Sequence, residues 1–483
     1  MAKLDKLEPK RVFYYFEEIT KIPRCSFEEE KIANYLENFA KDHNLEYIRD
    51  KFNNIIIKKP ATVGYENSPS LIIQGHMDMV CEKNESCNID FSKDSIEFEV
   101  EDNLIISRDT TLGADNGIAV AMALAILEDE SIKHPPLEIL ITTNEENGMT
   151  GAKGVDGSLL DSKMLLNLDS ETEGVACIAC SGGQRDYLIF DKEFDSLSED
   201  KKCFELSITG LNGGHSGQDI GKGLGNSNKL LARALLELNN NFDINLIDIF
   251  GGAKPNAIPR LAKAKIAVNE SDIKNIQNSI VKLNKEFMRE LIKVDANVRL
   301  NFEKIEFTNV SFTNKLKDNI INLLNILPNG IQSMSQDIEN LVGCSVNVGV
   351  IESTENEIRI LTNIRAALMS QKQSISEIHK ICAKITGARY EIQSQYPAWE
   401  YKEESHIREV ADKAYKELTG KPLIFEAIHA GLECGIFKET IGDIDMLSIG
   451  PNIHGVHAPG ENIEIESTKN VYEFLLKLLE NLK

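Results

Sequence analysis

The sequence predicts an α/β fold, a sheet flanked by helices and interrupted by an inserted α+β region. Three observations carry this expectation. Short apolar runs of strand length lie at 70–75 (SLIIQG), 137–143 (LEILITT) and 164–169 (MLLNLD). Between the first two, NGIAVAMALAILEDE at 116–130 is apolar nearly all round, as a helix buried against a sheet must be. The character of the chain changes near residue 187, and the pattern of the first part returns near 405.

The elements follow in order. Residues 26–43 place apolar side chains at helical spacing, with Ser26 as the expected N-cap and Glu29 as its capping-box partner. The insertion holds a strand-like segment at 203–210, a Gly-rich turn, a helix at 228–238 and the segment NAIPRLAKAKIAV at 256–268. A strand–turn–strand at 348–368 and a helix at 374–387 follow a similar order, so the insertion reads as two similar halves. A helix (HIREVADKAYKELTG) and a strand (MLSIG, 446–450) close the chain. The expected division is a main domain of 1–186 with 397–483 and an insertion of 187–396. Three domains in series is the alternative.

A chain of 483 residues, 42% hydrophobic, can bury cores for two or three domains. It has no run of about 20 apolar residues of the kind that spans a membrane, and its start lacks the pattern of a signal peptide. A cytoplasmic protein with no membrane partner is expected. The net charge of -23 repels phosphate backbones and argues against nucleic acid as a partner. Nine scattered cysteines read as reduced thiols. Cys177 and Cys180 have C-x-x-C spacing, which alone reads as two packed cysteines.

Four apolar strands are each followed by groups able to ligate a metal. His76 and Asp78 follow the first and share one side of the chain by alternation. Asp78 is placed to orient a ligating His76; a satisfied loop histidine is the alternative. Glu145 and Glu146 follow the second strand. Adjacent carboxylates repel, and their side chains diverge, so one can bind a metal while the other faces a substrate. A solvated acidic turn is the alternative. Asp169 ends the third strand, and His454 and His457 lie in a Gly/Pro turn after the fourth. Asp115 precedes the apolar helix, where an N-cap is the simpler reading. Together these residues place imidazoles and carboxylates outside the carboxyl ends of strands, where open α/β sheets bind ligands. That donor set suits Zn²⁺, with Mn²⁺ or Co²⁺ as substitutes.

The strings LIIQGHMDMVCEKN, RDTTLGADNGIAVAMALAIL, TTNEENGMTGAKG, NLDSETEG, GLNGGHSGQDI and SIGPNIHGVHAPGE resemble, in order along nearly the whole chain, the Xaa-His dipeptidase branch of the zinc peptidase family that also holds carnosinase, carboxypeptidase G and the aminoacylases. The resemblance implies a catalytic domain with a central mixed sheet, interrupted by an α+β lid, and two zinc ions per chain. It implies His76 and Asp169 on one ion, Glu146 and His457 on the other, and Asp115 bridging them, with a cis peptide at Asp115–Asn116. It implies Glu145 as general base, Asp78 as the orienter of His76, and His215, on the GGHSG turn, as a donor to the oxyanion. Asn256 and Arg365 match substrate-anchoring positions. An Arg takes a peptide carboxylate bidentately, although a surface ion pair is the other reading of Arg365. Relatives with a single lid unit carry an Arg shortly after the N-x-I-P string. Asn269 and Glu270 stand there instead, which leaves Arg365 as the candidate. Glu433, in HAGLECGIF, is a candidate contact for the substrate's amino group. The implied function is hydrolysis of dipeptides, Xaa-His among them, by a monomer or homodimer. An N-acyl-amino-acid deacylase or desuccinylase with the same metal core is the nearest alternative, and a silent binding protein the more distant one.

Overall fold

The computed structural model describes residues 3–483. The chain forms two compact units. One comprises Met1–Ala179, Tyr401–Ala427 and Leu432–Lys483; the other comprises Cys180–Glu400 and Ile428–Gly431.

The first unit is built on an eight-stranded mixed sheet. Its strands are β1 (Glu46–Arg49), β2 (Ile55–Lys59), β3 (Leu71–His76), β4 (Leu137–Thr142), β5 (Met164–Asn167), β6 (Val175–Cys180), β7 (Ile424–Ile428) and β8 (Asp445–Ser448). Their order across the sheet is β1-β2-β4-β3-β5-β8-β6-β7. The neighbours β4, β3, β5 and β8 run parallel, so their carboxyl ends meet at one edge. Parallel strands need both faces covered, and β3 and β4 are buried throughout. Helices α1 (Lys10–Thr20), α2 (Glu30–Asp42), α3 (Ala114–Glu128), α4 (His406–Thr419), α5 (Glu433–Thr440) and α6 (Ile465–Asn481) accompany the sheet. Every residue of α3 from Asn116 to Leu127 is buried, which explains its apolar character on all sides.

The second unit holds a nine-stranded antiparallel sheet. Gly182–Asp191 pairs along its length with Glu357–Ala366 and along most of it with Arg389–Tyr396. This pairing corrects the expected boundaries at 187 and 396. The strand begins at Gly182, and residues 180–186, 397–400 and 428–431 all group with the insertion. Helices Ser227–Asn241, Ile273–Leu291, Asn314–Ile326 and Met369–Thr386 complete the unit, which has its own apolar core.

Two local expectations are corrected. Helix α2 begins at Glu30 rather than near 26, and Ser26 does not cap it. The Ser26 hydroxyl donates to Asp78 Oδ2 at 2.8 Å, a non-local acceptor that the capping pattern could not reveal. The cysteines are not all thiols. Cys25 and Cys81 are joined in a disulfide with Cα atoms 5.7 Å apart, because residues 25 and 79 meet in a parallel bridge. The other seven cysteines, Cys177 and Cys180 among them, form no disulfide.

Two outcomes are expected. Thiol titration of the unreduced, denatured chain should count seven groups, rising to nine after reduction. At Gly75, where α3 crosses β3 closely, an added Cβ would lie 2.5 Å from Asn116 Oδ1 and 2.8 Å from Ala119 Cβ. Gly75→Ala should therefore cost about 1–3 kcal/mol of stability by overpacking, read by chemical denaturation of the chelator-treated protein.

Candidate metal centre and its supports

His76 is the last residue of β3. Its Nδ1 faces Asp78, 3.1 Å from the carbonyl oxygen and 3.3 Å from Oδ1. That carbonyl accepts a hydrogen bond from the Nδ1–H, which leaves Nε2 free to face the carboxylates. Nε2 lies 3.0 Å from Asp115 Oδ1 and 3.3 Å from Asp169 Oδ1. On the other side, His457 Nε2 lies 2.8 Å from Glu146 Oε2 and 3.2 Å from Asp115 Oδ2. Asp115 thus offers one carboxylate oxygen to each of two His–carboxylate groups. The ligand atoms of His76, Asp115 and Glu146 all lie within 4.8 Å of one another. His454, the competitor of His457, faces Glu464 at 3.0 Å, away from this group. The bond between Asp115 and Asn116 is cis.

Asp78 is fully buried and does more than orient His76. It accepts from Ser26 Oγ and from the backbone N–H groups of Glu145 (3.0 Å) and Glu146 (3.3 Å). One carboxylate therefore holds both the first ligand and the turn that carries the second pair. Asn116 extends the same logic. Its amide accepts from the His76 N–H and donates to the Leu168 carbonyl, tying the start of α3 to two strand ends.

The electrostatics follow from crowding. Burial alone would raise the Asp115 carboxyl, but His457 and His76 pull it below its ordinary range. Burial would lower His76, but Asp169, Asp115 and Asp78 push it well above the usual imidazole range. Burial raises Glu145 well above the carboxylate range, with His76 opposing and Asp169, Glu146 and Glu433 adding to the rise. Among the described residues, the carboxylates of Asp115, Glu146 and Asp169 stand with two imidazoles and no Lys or Arg ion pair, which is the donor chemistry of a site for borderline divalent cations. The residues present fit a divalent metal ion, with His76, Asp115 and Glu146 close enough to hold it together.

Three buried polar residues escaped the sequence reading. Arg24 is almost wholly buried and donates to the carbonyls of Met77, Asp78 and Gly113. Glu461 is equally buried and accepts four consecutive backbone N–H groups, from Leu112 through Asp115. A basic residue in a loop and an acid four positions after His457 carry no sequence signal of such roles. His429, in the second unit, is the third. Its Nδ1 lies 2.9 Å from Ser181 Oγ and its Nε2 2.7 Å from Ser345 Oγ. Burial, then Arg365 and His215, push it down to about 4, so it is a neutral link between two hydroxyls.

Glu433, the expected contact for a substrate's amino group, is a buried carboxylate. It has no exposed surface, and its Oε2 accepts from Gln74 Nε2 (2.7 Å) and Thr142 Oγ1 (2.8 Å). It lies beneath the ligand-bearing edge and acts through the residues it touches. Burial chiefly pushes its carboxyl up to about 8.

In the second unit, His215 Nδ1 accepts from the backbone N–H groups of Gly217 (3.3 Å) and Gln218 (3.2 Å). The ring is therefore the Nε2–H tautomer. Burial and then Arg365 lower its pKa, with Asp219 opposing. Arg365 is buried, donates to Tyr396 Oη at 3.1 Å and leaves Nε without a partner. A Cβ at Gly217 would lie 3.1 Å from His215 Cε1 and 3.2 Å from Arg365 Nε, so the two cationic-type side chains flank that glycine. The Asn256 carbonyl accepts from the Ser216 N–H at 2.8 Å, next to His215.

Residues 72–481 match peptidase family M20/M25/M40. The chain belongs to this family. It is 38% identical over 483 residues to the cytosol non-specific dipeptidase of Escherichia coli (strain K12), covering 100% of this chain and 99% of that protein. The crystal structure of aminoacylhistidine dipeptidase from Vibrio alginolyticus superposes with a TM-score of 0.92 at 35% identity, covering 99% of this chain and 98% of that one. The aminopeptidase PepT of Bacillus cereus, at TM-score 0.56 and 16% identity, shares the fold. The family assignment agrees with the mixed sheet and its flanking helices. Among the described residues no helix is long and apolar enough to cross a membrane.

Asp78→Asn should weaken metal binding by about 10–100-fold, as the loss of a residue that orients a ligand commonly does. Competition with a fluorescent chelator would measure it.

Proposed function

We propose that this chain is a metal-dependent dipeptidase that hydrolyses Xaa-His and other dipeptides through a centre of two divalent ions. The observation that carries the reading is the division of the Asp115 carboxylate between His76–Asp169 and His457–Glu146. The names of the two full-length relatives support the dipeptide as substrate. No observation favours the N-acyl-amino-acid deacylase or desuccinylase alternative. Zinc suits the donors, with manganese or cobalt as substitutes. Bound there, the ions would polarise the scissile carbonyl and make a water acidic enough to attack it.

The chain's own residues supply the rest. Glu145 follows the ligand-bearing turn, is no member of either His–carboxylate group, and has an affinity for protons that burial has raised. It takes the proton of the attacking water and returns one to the leaving nitrogen. Its backbone is fixed by Asp78, so its carboxylate approaches from a constant direction. His215, neutral and with Nε2–H outward from its own turn, is suited to donate to the developing oxyanion. Arg365, with an unpartnered Nε, suits a terminal carboxylate, with Asn256 as a second anchor. A cytoplasmic place rests on the name of the Escherichia coli relative; the Cys25–Cys81 disulfide is the one feature that runs against a reducing compartment. The assembly is a monomer or homodimer.

Metal-loaded protein assayed against Xaa-His dipeptides and N-acetyl amino acids should cleave only the former. Glu145→Ala should retain both metals and lose turnover by at least about 10²-fold, as removal of a general base does. Normal turnover at normal metal content would refute the assignment of Glu145.

A further inference from the structure

Glu461 has no role in the chemistry described above, yet its carboxylate is the most heavily donated-to acceptor beside the centre. Oε2 accepts from Leu112 N (2.8 Å) and Gly113 N (3.0 Å), and Oε1 from Ala114 N (2.8 Å) and Asp115 N (3.3 Å). Four donors on two oxygens occupy the lone pairs of an ionised carboxylate. The last donor is the backbone of Asp115 itself. On the opposite side of the same segment, Arg24 Nη2 donates to the Gly113 carbonyl at 2.5 Å. The remaining hydrogen bonds of Arg24, from Nη1, reach the carbonyls of Met77 and Asp78 at 3.0 Å, just past His76. Glu461 and Arg24 therefore hold residues 112–115 from two sides with opposite charges. Gly113 makes this possible: its φ is +71°, and a Cβ there would lie 2.4 Å from Arg24 Nη2.

The loop that delivers Glu461 also delivers His457, four residues earlier. Within it the Glu461 N–H donates to the Ala458 carbonyl, and the Glu461 carbonyl accepts from Ser107. One short turn thus sets a ligand side chain against Asp115 Oδ2 and a carboxylate against the backbone that carries Asp115.

We propose that Glu461 is a positioning residue, with Arg24 as its counter-charge, that holds Asp115 in its bridging orientation before any metal arrives. The inference rests on the reading of Asp115 as the shared ligand. Its consequence is a preassembled centre. Three loops, ending in or following His76, Asp115 and His457, are joined by buried polar side chains that are not ligands.

The test compares wild type with Glu461→Gln, which keeps the shape but puts an NH₂ against two backbone donors, and with Glu461→Asp, which keeps the charge but shortens the reach. Zinc dissociation constants are measured by chelator competition, and unfolding midpoints are taken with and without zinc. Both variants should bind zinc at least tenfold more weakly, and the zinc-induced rise in midpoint should shrink. Glu138→Gln is the control. Glu138 is another buried carboxylate of this unit, and it accepts from Asp161 N and Ser162 N, away from the ligands. It should lower the midpoint with and without zinc alike and leave the dissociation constant unchanged. Glu461 variants that bind zinc within twofold of wild type overturn the proposal. A wild type that binds no zinc overturns the metal reading instead. Hydrogen exchange on the metal-stripped wild type needs no variant to fold. The amides of 112–115 should stay protected, and rapid exchange there overturns preassembly.

Discussion

The constraint on which this architecture depends is the burial of several carboxylates at one edge of a parallel sheet. Asp78, Asp115, Glu145, Glu146, Asp169, Glu433 and Glu461 all belong to that edge or to the loops joined to it. Burial first, and neighbouring like charges after it, raise the proton affinity of a carboxylate, and this is the direction seen for Glu145, Glu146, Asp169 and Glu433. Such an arrangement persists only when something positive or hydrogen-bond-donating meets each group. Here the positive groups are two imidazoles and Arg24, and the donors are backbone amides. Two divalent ions would supply the rest, which is why the site reads as a metal centre rather than as an acidic cluster.

The amides divide the work between two carboxylates that are not ligands. Asp78, just past β3, holds the N–H groups of Glu145 and Glu146, just past β4. Glu461, just past His457, holds the N–H groups leading to Asp115. Arg24 joins the two systems by taking carbonyls from both the Met77–Asp78 and Gly113 segments. The segments that carry His76, Asp115 and Glu146 are thus each fixed by a charged residue from another. The loops gain definition without lengthening, and the cost of burying each charge is offset by bonds the fold must satisfy in any case.

How much of this was legible in the sequence follows from the kind of signal each residue leaves. The strands that lead to His76, Glu145–Glu146 and Asp169 were legible because buried parallel strands are short, apolar and bounded. The helix of 116–130 was legible for the same reason. His457 was separable from His454 only through resemblance, since both lie in one turn; in three dimensions His454 turns to Glu464. Ser26 was misread because an N-cap pattern looks the same whether the hydroxyl serves its own helix or Asp78. Arg24 left no signal, and Glu461 and His429, though they lie in the strings SIGPNIHGVHAPGE and HAGLECGIF, showed no role there, since a non-local hydrogen bond has no period and no spacing. The disulfide was missed because cysteine count and chain context speak to the compartment, whereas the Cys25–Cys81 pairing depends on one bridge between distant segments. The change of character was read at 187, whereas the strand there runs from Gly182 to Asp191, because a strand that begins in Gly-Gly looks like a linker.

The layer beneath the ligands explains why Glu433 belongs with the supports. Side chains alternate along a strand, so Gln74 and Asn167 share a face with His76 and Asp169 two residues on. Asn167 Nδ2 donates to Gln74 Oε1 at 2.6 Å, Gln74 Nε2 donates to Glu433 Oε2, and Ser448 Oγ donates to Asn167 Oδ1. Thr142 completes the chain from β4. These bonds cross from β4 through β3 and β5 to β8 one pleat below the ligands. Apolar side chains there would pack but would not fix the angle of one strand end against the next. Amide and carboxyl groups have directions, so this network sets the relative orientation of the strand ends from which His76, Glu146 and Asp169 project. Burial raises the proton affinity of Glu433, as it does for Glu145 and Asp169 of the same edge. The polar floor and the loop clamps therefore answer the same demand: ligands that repel one another must be held in place by groups that are not themselves ligands.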